Sequence, residues 1–336
     1  MSDVEVNRDI EQEIESLREG FTRLRESVGA SFLGHHEVVE LLLLSVLADG
    51  HVLLEGAPGL GKTTLVKSLA AALGLSFGRI QFTPDLMPGD ILGMRVLVDE
   101  PDGGRSFRFE PGPVFVNLLL ADEINRATPR TQSALLEAMQ ERQVTMFGET
   151  RKLDDPFFVI ATQNPIEMEG TYPLPEAQLD RFLCKIEIDS PAEDELMEIL
   201  KATTTTGGAA PAGQSIEAKA LRRMRTLVRA LPTSSDIVRL AARIVLCTDP
   251  RREDAPEDVR RYLRYGASPR GGQAILLLGK ARALVNGRPW VSEEDIEKAA
   301  APSLRHRVVY SYEGEASGVH PDELVAQALA RARELE

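Results

Sequence analysis

Residues 56–63 read Gly-Ala-Pro-Gly-Leu-Gly-Lys-Thr, which matches the pattern GxxxxGK[ST]. In such loops backbone N–H groups surround phosphates, the lysine reaches the β and γ oxygens, and the hydroxyl binds magnesium. One alternative is a glycine-rich turn that binds nothing. Another is a dinucleotide fingerprint, but its third glycine does not follow Gly59 and Gly61. The sequence therefore predicts a nucleoside triphosphate site, with these candidate residues: Gly56, Ala57, Pro58, Gly59, Leu60, Gly61, Lys62, Thr63 and Thr64.

Two adjacent carboxylates, Asp122 and Glu123, follow the apolar run at 118–121. Beside a phosphate loop, we expect Asp122 to hold magnesium through water, together with the Thr63 hydroxyl. We expect Glu123 to orient or deprotonate the attacking water. Acidic residues are also favoured at helix starts, so the pair alone is a weak signal. The phosphate loop earlier in the chain favours the catalytic interpretation.

Three more polar residues are candidates for contact with the γ-phosphate. Asn164 follows an apolar run, and its amide can accept from water and donate to a phosphate oxygen, although Asn-Pro is also a turn signal. Arg181 is a candidate arginine finger, the planar donor that neutralises transition-state charge, or else a surface arginine paired with Asp180. Arg270 could reach the same phosphate from a second domain, or be a solvated arginine at a helix end.

The elements that must position these residues alternate between strand and helix. Short apolar runs predict strands at 51–54, 116–121, 157–162 and 185–188, and helical spacing predicts helices at 36–48, 62–73 and 129–142. Such alternation predicts a mostly parallel sheet covered on both faces. Before it, residues 9–28 predict an amphipathic helix, because apolar side chains recur every three or four positions: Ile10, Ile14, Leu17, Phe21, Leu24 and Val28.

Two β-hairpins interrupt this alternation. One joins strands at 94–98 and 105–109 through Pro-Asp-Gly-Gly, and the other joins 143–147 and 150–153 about Gly148-Glu149. From residue 191 onward the pattern is helical, with a flexible interruption at 203–213. Ser292 with Asp295, and Ser268 with Pro269, predict two helix starts there. We therefore expect an N-terminal helix at 1–28, an α/β core at 29–190 and a helical domain at 191–336.

Composition indicates an ordinary globular protein of 336 residues, with 43% hydrophobic and 27% charged residues. The net charge of -13 disfavours non-specific binding to nucleic acid or to an anionic membrane. Cys184 and Cys247 form no metal-binding or redox motif, which favours a reducing, cytoplasmic setting. We expect neither a signal peptide nor insertion into a membrane, since the start is acidic and the longest apolar run is short.

Taken together, five segments resemble the MoxR family of AAA+ ATPases over roughly residues 28–310. They are the loop at 56–63, Asp-Glu-Ile-Asn-Arg-Ala at 122–127, Ala-Thr-Gln-Asn-Pro at 161–165, the segment 172–182 that ends in Leu-Asp-Arg-Phe, and Ala-Ser-Pro-Arg at 267–270. The resemblance implies an α/β fold, with a P-loop AAA+ core of parallel sheet and two β-hairpin inserts, followed by an all-α helical lid domain.

The resemblance also implies roles for residues, ligands and partners. Lys62 and Thr63 would belong to Walker A, Asp122 and Glu123 to Walker B, and Asn164 would be sensor 1. Arg181 would be the trans-acting finger and Arg270 sensor 2, while Leu33 and Gly34 would pass the adenine. ATP and Mg²⁺ would be the ligands. The chain would form a homo-oligomer, a hexameric ring, and act with a von Willebrand factor A domain protein in chaperone-like maturation or metal insertion.

Two other functions compete with this interpretation. The first is a nucleic-acid motor or loader, because the hairpins carry a set of basic residues, although the overall charge argues against it: Arg95, Arg105, Arg108, Arg142, Arg151 and Lys152. The second is the motor subunit of a metal chelatase, which is similar in core and inserts. Phe107 and Phe109 could grip a substrate in a ring pore, but alternate aromatic residues on a strand more often pack a face.

Overall fold

The computed structural model describes residues 3–101, 104–164, 170–204, 213 and 215–335. Its strands are β1 (Val52–Gly56), β2 (Phe77–Gln81), β3 (Gly93–Asp99), β4 (Arg105–Pro111), β5 (Leu118–Asp122), β6 (Gln143–Met146), β7 (Glu149–Lys152), β8 (Phe158–Gln163), β9 (Cys184–Ile188), β10 (Leu263–Tyr265) and β11 (Val309–Tyr310).

Helices separate most strands of the central sheet and dominate the C-terminal region, and a short 3-10 turn covers Ile124–Arg126. They are α1 (Asp3–Ser31), α2 (His36–Leu47), α3 (Lys62–Leu73), α4 (Pro88–Leu92), α5 (Pro129–Glu141), α6 (Glu176–Leu179), α7 (Glu193–Thr204), α8 (Ala218–Ala230), α9 (Ser235–Cys247), α10 (Glu257–Tyr262), α11 (Pro269–Val285), α12 (Glu293–Leu304), α13 (Tyr312–Ser317) and α14 (Pro321–Glu334).

The central sheet has the strand order β2-β5-β8-β1-β9, and every neighbouring pair is parallel. The predicted parallel sheet is therefore confirmed. Strands β5 and β8 are buried along almost their whole length, because both faces of the sheet are covered and a two-sided burial selects continuous apolar runs. Since all five strands point the same way, their carboxyl ends lie along one edge, where a site can form.

Strand β2 and helix α4 are not predicted by the sequence patterns above. Strand β2 lies at one edge of the sheet and only Ile80 of its five residues is buried, so its sequence shows no apolar run. Helix α4 is a single short turn that begins with Pro88, and the Asp90 carboxylate accepts a hydrogen bond from the Met87 N–H at 2.8 Å. Both elements lie between α3 and the first hairpin, where the expected alternation is interrupted.

One apolar cluster covers one face of the sheet and continues into the C-terminal helices. It contains Phe21 and Leu24 of α1, Leu65 of α3, and Ile275 and Leu278 of α11. Helix α1 is longer than the predicted 9–28 segment, and in its described part the apolar positions of that pattern are buried against this cluster. A second cluster, formed largely by α5 and the facing side chains of the sheet, covers the other face.

Both predicted hairpins are present. In the first, β3 pairs antiparallel with β4, with Leu97 opposite Phe107, and two residues of its turn, 102 and 103, lie outside the described residues. In the second, β6 pairs with β7, and the turn is Phe147-Gly148, one residue earlier than predicted. The φ angles there are 53° and 81°, as a two-residue hairpin turn requires.

The two hairpins contact each other through two arginines. Arg95 of β3 lies 5.1 Å from the centroid of the Phe147 ring and 3.5 Å from the Glu149 carboxylate. Arg151 of β7 lies 4.3 Å from the centroid of the Phe109 ring, and Phe109 also packs edge-on against Phe115. The hairpins therefore form one joined unit, in which Phe109 is a packing residue.

The C-terminal region is helical, apart from the short antiparallel pair β10 and β11. Ser268 caps α11, which begins with Pro269, and Ser292 and Asp295 form a capping box on α12, so both predicted helix starts are confirmed. Most of the predicted flexible segment at 203–213 lies outside the described residues. Among the described residues, no helix combines the length and apolarity needed to span a bilayer.

Candidate functional site

The glycine-rich loop at 56–61 joins the carboxyl end of β1 to the start of α3, as its pattern predicts. Gly59 and Gly61 have φ angles of 84° and 76°, a region that suits glycine. The Lys62 ammonium donates to the Gly56 carbonyl at 2.6 Å, so the lysine side chain folds back over its own loop. Burial lowers the pKa of Lys62, while nearby carboxylates, Asp122 first among them, oppose that shift.

The segment 32–35 lies against this loop. A Cβ atom on Gly61 would come within 3.1 Å of the Phe32 ring, so the ring packs directly on the loop backbone. The same segment also contacts α7. The Glu195 carboxylate of that helix accepts from the Ala192 N–H at 3.2 Å and from the His35 N–H at 3.3 Å. These two hydrogen bonds lower the pKa of Glu195. Leu33 and Gly34 therefore lie between the phosphate loop and the first turn of α7.

Asp122, the last residue of β5, is 8% exposed, and both oxygens of its carboxylate accept hydrogen bonds. Its Oδ1 accepts from the Thr162 hydroxyl at 2.6 Å, and its Oδ2 accepts from Arg79 Nη2 at 2.7 Å. Arg79 lies on β2, the strand that the sequence patterns miss, and Thr162 lies on β8. The sequence motif predicts Asp122 but neither Arg79 nor Thr162, the two residues that hold it.

Glu123 directly follows Asp122 and has a φ of 57°, so the chain turns sharply there. Its Oε2 accepts from the side-chain amide of Gln81 at 2.6 Å and from Arg126 Nη1 at 2.8 Å. Its backbone N–H donates to Thr162 Oγ1 at 2.8 Å, so one threonine hydroxyl binds both carboxylate residues. Glu123 is thus held at the same edge of the sheet as Lys62.

Asn164 comes directly after β8, and β8 lies between β5 and β1 in the sheet. Its side chain is 5% exposed. The topology therefore brings Asn164 between the strand that ends in Asp122 and the strand that leads to Lys62. Lys62, Asp122, Glu123 and Asn164 therefore all lie at the carboxyl edge of the sheet.

Arg181 and Arg270 lie at the opposite side of the sheet from the carboxyl edge, near the amino ends of the parallel strands. Arg181 precedes the first residue of β9, Cys184, by three positions, and Cys184 is opposite Val52, the first residue of β1. Two residues after Arg181, the Leu183 N–H donates to the His51 carbonyl at 2.8 Å. The five residues of β1 span about 16 Å, so the phosphate loop lies at the far end of that strand. Arg270, at the start of α11, lies 3.9 Å from Asp180 and lines the same cavity as Arg181. Neither arginine approaches Lys62 of the same chain.

The cavity beside these arginines has a volume of about 240 Å³ and carries an excess of positive charge. Four arginines and two aspartates line it: Arg142, Arg181, Arg270, Arg307, Asp49 and Asp180. Asp180 is already bound by Arg307 at 2.8 Å, and Asp49 by Arg142 at 2.8 Å. Among the described residues, the buried Nε of Arg181 has no hydrogen-bond partner. An anion would complete this environment.

The carboxyl edge carries two oxygen donors that could hold magnesium. Thr63 and Asp122 offer a hydroxyl and a buried carboxylate, which are the hard oxygen donors that Mg²⁺ prefers. A second group, Glu187, His320 and Asp322, brings its ligand atoms within 4.8 Å of one another. However, Arg305 contacts both carboxylates, at 3.2 Å from Glu187, so that group is an ion-pair network.

Comparison with known families agrees with this architecture. The family described as "ATPase family associated with various cellular activities (AAA)" matches residues 51–184, which include the loop and the three strand ends of the site. The family described as "AAA lid domain" matches residues 255–328.

Individual relatives match almost the whole chain. Chaperone MoxR1 of Mycobacterium tuberculosis is 42% identical over 88% of this chain and 78% of its own length. YeaC of Bacillus subtilis is 39% identical over 92% of both chains, and protein MoxR of Paracoccus denitrificans is 35% identical over 83% of this chain and 85% of its own. A crystal structure from Cytophaga hutchinsonii superposes with a TM-score of 0.89 at 36% identity, covering 96% of this chain and 97% of that one.

Proposed function

Because the chain belongs to the MoxR family of AAA+ ATPases, we propose that it hydrolyses Mg-ATP at sites shared between neighbouring copies in a ring. Each site would combine the carboxyl edge of one copy with the two arginines at the opposite edge of the next. This proposal is more specific than the ATPase activity that the family itself establishes.

At the carboxyl edge, different residues of the chain bind the phosphates, hold magnesium and act on the attacking water. The loop N–H groups and Lys62 bind the phosphates, and Leu33 and Gly34 lie beside the adenine. Asp122 and Thr63 would hold Mg²⁺, which supplies positive charge against the phosphate oxygens when bound. Glu123 takes the proton of the attacking water, and Asn164 fixes that water against the phosphate.

The observation that carries the shared site is the separation of Lys62 from Arg181. They lie beyond opposite ends of β1, whose five residues span about 16 Å, whereas an arginine finger must contact the phosphate that the lysine binds. The Arg181 of a neighbouring copy could instead reach the phosphate that Lys62 binds. The same neighbour would bring Arg270, because that residue lines the cavity beside Arg181.

The remaining proposals follow the family resemblance. We propose a hexameric, cytoplasmic ring that transmits lid movement to a von Willebrand factor A domain partner during maturation or metal insertion. Both cysteines are free and buried, which supports a reducing setting. A hydrolysis-blocked Glu123→Gln ring should retain its partner from native lysate in Mg-ATP, and mass spectrometry should identify a von Willebrand factor A domain protein among the retained proteins.

The nucleic-acid alternative loses its main support in the hairpins. Five of the six basic residues that suggest it, the arginines rather than Lys152, lie within 4 Å of a carboxylate in the structure: Arg95, Arg105, Arg108, Arg142 and Arg151. Each neighbouring carboxylate lowers the net positive charge that the hairpins offer to a phosphate backbone. No observation favours the chelatase alternative over the leading proposal.

The test compares Arg181→Ala with Arg264→Ala, an exposed arginine far along the chain in the lid. We expect Arg181→Ala to keep Mg-ATP binding within about twofold and to lose about 10³-fold in turnover, as arginine fingers do. Nucleotide titration, phosphate release and mass photometry at one protein concentration measure binding, turnover and ring size. Native turnover by Arg181→Ala would refute the shared site.

A further inference from the structure

The residues around Arg181 form a turn that the lid holds. We call residues 180–183 the arginine turn. Arg307, which follows α12, donates to the Asp180 carboxylate at 2.8 Å and to the Asp180 carbonyl at 3.2 Å. It also donates to the carbonyls of Phe182 and Leu183, at 2.5 and 3.1 Å. One guanidinium of the lid therefore contacts three of the four residues of the turn.

Two other lid residues bind the same turn. The Ser268 hydroxyl, at the cap of α11, lies 2.9 Å from both carboxylate oxygens of Asp180. His306 Nε2 lies 3.1 Å from the Phe182 carbonyl. The core contributes the Leu183 N–H bond to His51 and the burial of the Phe182 ring. The turn is thus a joint, attached to the sheet on one side and to two lid helices on the other.

Because Arg307 is buried, this attachment depends on the geometry of its hydrogen bonds. The residue is 8% exposed, and burial lowers the pKa of its guanidinium, although the Asp180 carboxylate opposes the shift. A buried arginine stays charged, so its burial is tolerated only where carboxylate and carbonyl acceptors surround it in the right geometry. The planar guanidinium of Arg307 fixes the directions of its hydrogen bonds. A rotation of the lid against the sheet would therefore either move the arginine turn or break these hydrogen bonds.

We infer that Arg307 is a positioning residue, which sets the placement of Arg181 toward the neighbouring copy and ties it to the orientation of the lid. The inference rests on the proposed shared site. It assigns Arg307 no contact with ATP. Through this joint, a change of lid angle in one copy would change hydrolysis in the next.

The test mixes two inactive variants of the full-length chain. Lys62→Ala removes the phosphate lysine and keeps Arg181, so it serves as the arginine donor. Arg181→Ala keeps the phosphate loop and serves as the ATP acceptor. Mixed rings should recover ATP hydrolysis at interfaces between donor and acceptor. Arg307→Gln is then added to the donor alone, or to the acceptor alone.

We expect Arg307→Gln in the donor to lower the recovered rate by at least about tenfold, because a displacement of about 1 Å can cost 10²-fold. In the acceptor it should change the rate less than about twofold. A residue needed only for folding would lower both equally. Asp180→Asn should show the same asymmetry and covers the case in which Arg307→Gln fails to fold. Arg305→Gln, whose arginine binds Glu187 and Asp322, is the matched control without asymmetry.

Each outcome decides between the two claims. Recovery with the donor-specific loss supports the role of Arg307. Recovery with equal loss, or with no loss, in both positions overturns the role of Arg307 and leaves the shared site intact. If the two starting variants recover nothing when mixed in rings, the shared site is refuted, and the role of Arg307 falls with it.

Discussion

The side-chain amide of Gln81 donates a 2.6 Å hydrogen bond to Oε2 of Glu123. Gln81 is the last residue of β2, one of the two edge strands of the central sheet, and the chain continues from it through α4 into the first hairpin. Arg126 donates to the same carboxylate oxygen at 2.8 Å. With Oε2 already accepting two hydrogen bonds, Oε1 is the oxygen left to accept from the attacking water, so this contact restrains the orientation of the proposed base.

We therefore expect Gln81→Leu to raise the basal rate of ATP hydrolysis about two- to tenfold, the effect of losing one hydrogen bond of about 1 kcal/mol. Nucleotide affinity should not change. Gln327→Leu removes a similar amide bond to Asp258, at 2.8 Å, and serves as the control. A lower basal rate in Gln81→Leu would mean that the amide orients Glu123 productively.

Lys62→Ala and Glu123→Gln should separate binding from turnover. Loss of the Lys62 ammonium removes the charge that faces the phosphates, so nucleotide binding should fall by roughly 100-fold or more. Glu123→Gln keeps the shape of the site, so binding should persist while turnover falls about 10²- to 10⁴-fold. Titration with a fluorescent ATP analogue and phosphate release measure the two effects. Native turnover in Glu123→Gln would show that another group is the base.

Phe107 and Phe109 should differ when each is replaced by alanine. Phe107 is 70% exposed, so its loss should leave stability and basal hydrolysis unchanged and lower only partner-dependent activity. Phe109 packs against Phe115 and Arg151, so its loss should lower the free energy of unfolding by about 1–2 kcal/mol. Urea unfolding and partner-stimulated ATPase assays distinguish them. Unchanged partner-dependent activity in the Phe107→Ala, Phe109→Ala double variant would remove any gripping role.

Stability should fall on acidification because His51 must stay neutral. Its Nδ1 accepts from the Val159 N–H at 3.0 Å, so Nε2 carries the proton that faces the Met139 carbonyl. Burial lowers the pKa of His51 from 6.5 to about 4. The unfolded chain therefore binds a proton first as the pH falls, and the free energy of unfolding should drop by about 1.4 kcal/mol per pH unit between 6.5 and about 4.

Urea titrations across this pH window test the dependence on His51. His51→Gln should show a shallower slope, because the amide does not titrate. The buried His306, whose pKa also lies well below 6.5, should retain part of the slope. An identical slope in His51→Gln would exclude His51 as a cause.

The sequence patterns predict the buried parts of the fold well. Strands β5 and β8 are covered on both faces, so their burial requires the apolar runs that reveal them. Strand β2 is hidden because only Ile80 of its five residues is buried. The turn of the second hairpin lies one residue earlier than predicted because Phe147 adopts a positive φ. Phenylalanine rarely adopts this conformation, so the sequence pattern does not indicate it.

The site divides in the same way. Lys62, Asp122 and Asn164 are readable because each follows a strand within a short motif. Their supporting contacts join residues far apart in sequence: Arg79 reaches Asp122 across 43 positions, and Arg307 reaches Asp180 across 127. No local spacing encodes such pairs. Recognising β2 would have pointed to Arg79 and Gln81, since alternate residues at a strand end share one face.

The central claim is that one copy's Lys62 and another copy's Arg181 bind the same phosphate. Cryo-electron microscopy of Glu123→Gln in saturating Mg-ATP measures this most directly, because the intact γ-phosphate stays in place. We expect a closed ring in which that phosphate contacts Lys62 of one copy and Arg181 of its neighbour. A γ-phosphate contacted by Lys62 in a ring whose neighbouring copies keep Arg181 away from it would contradict the account.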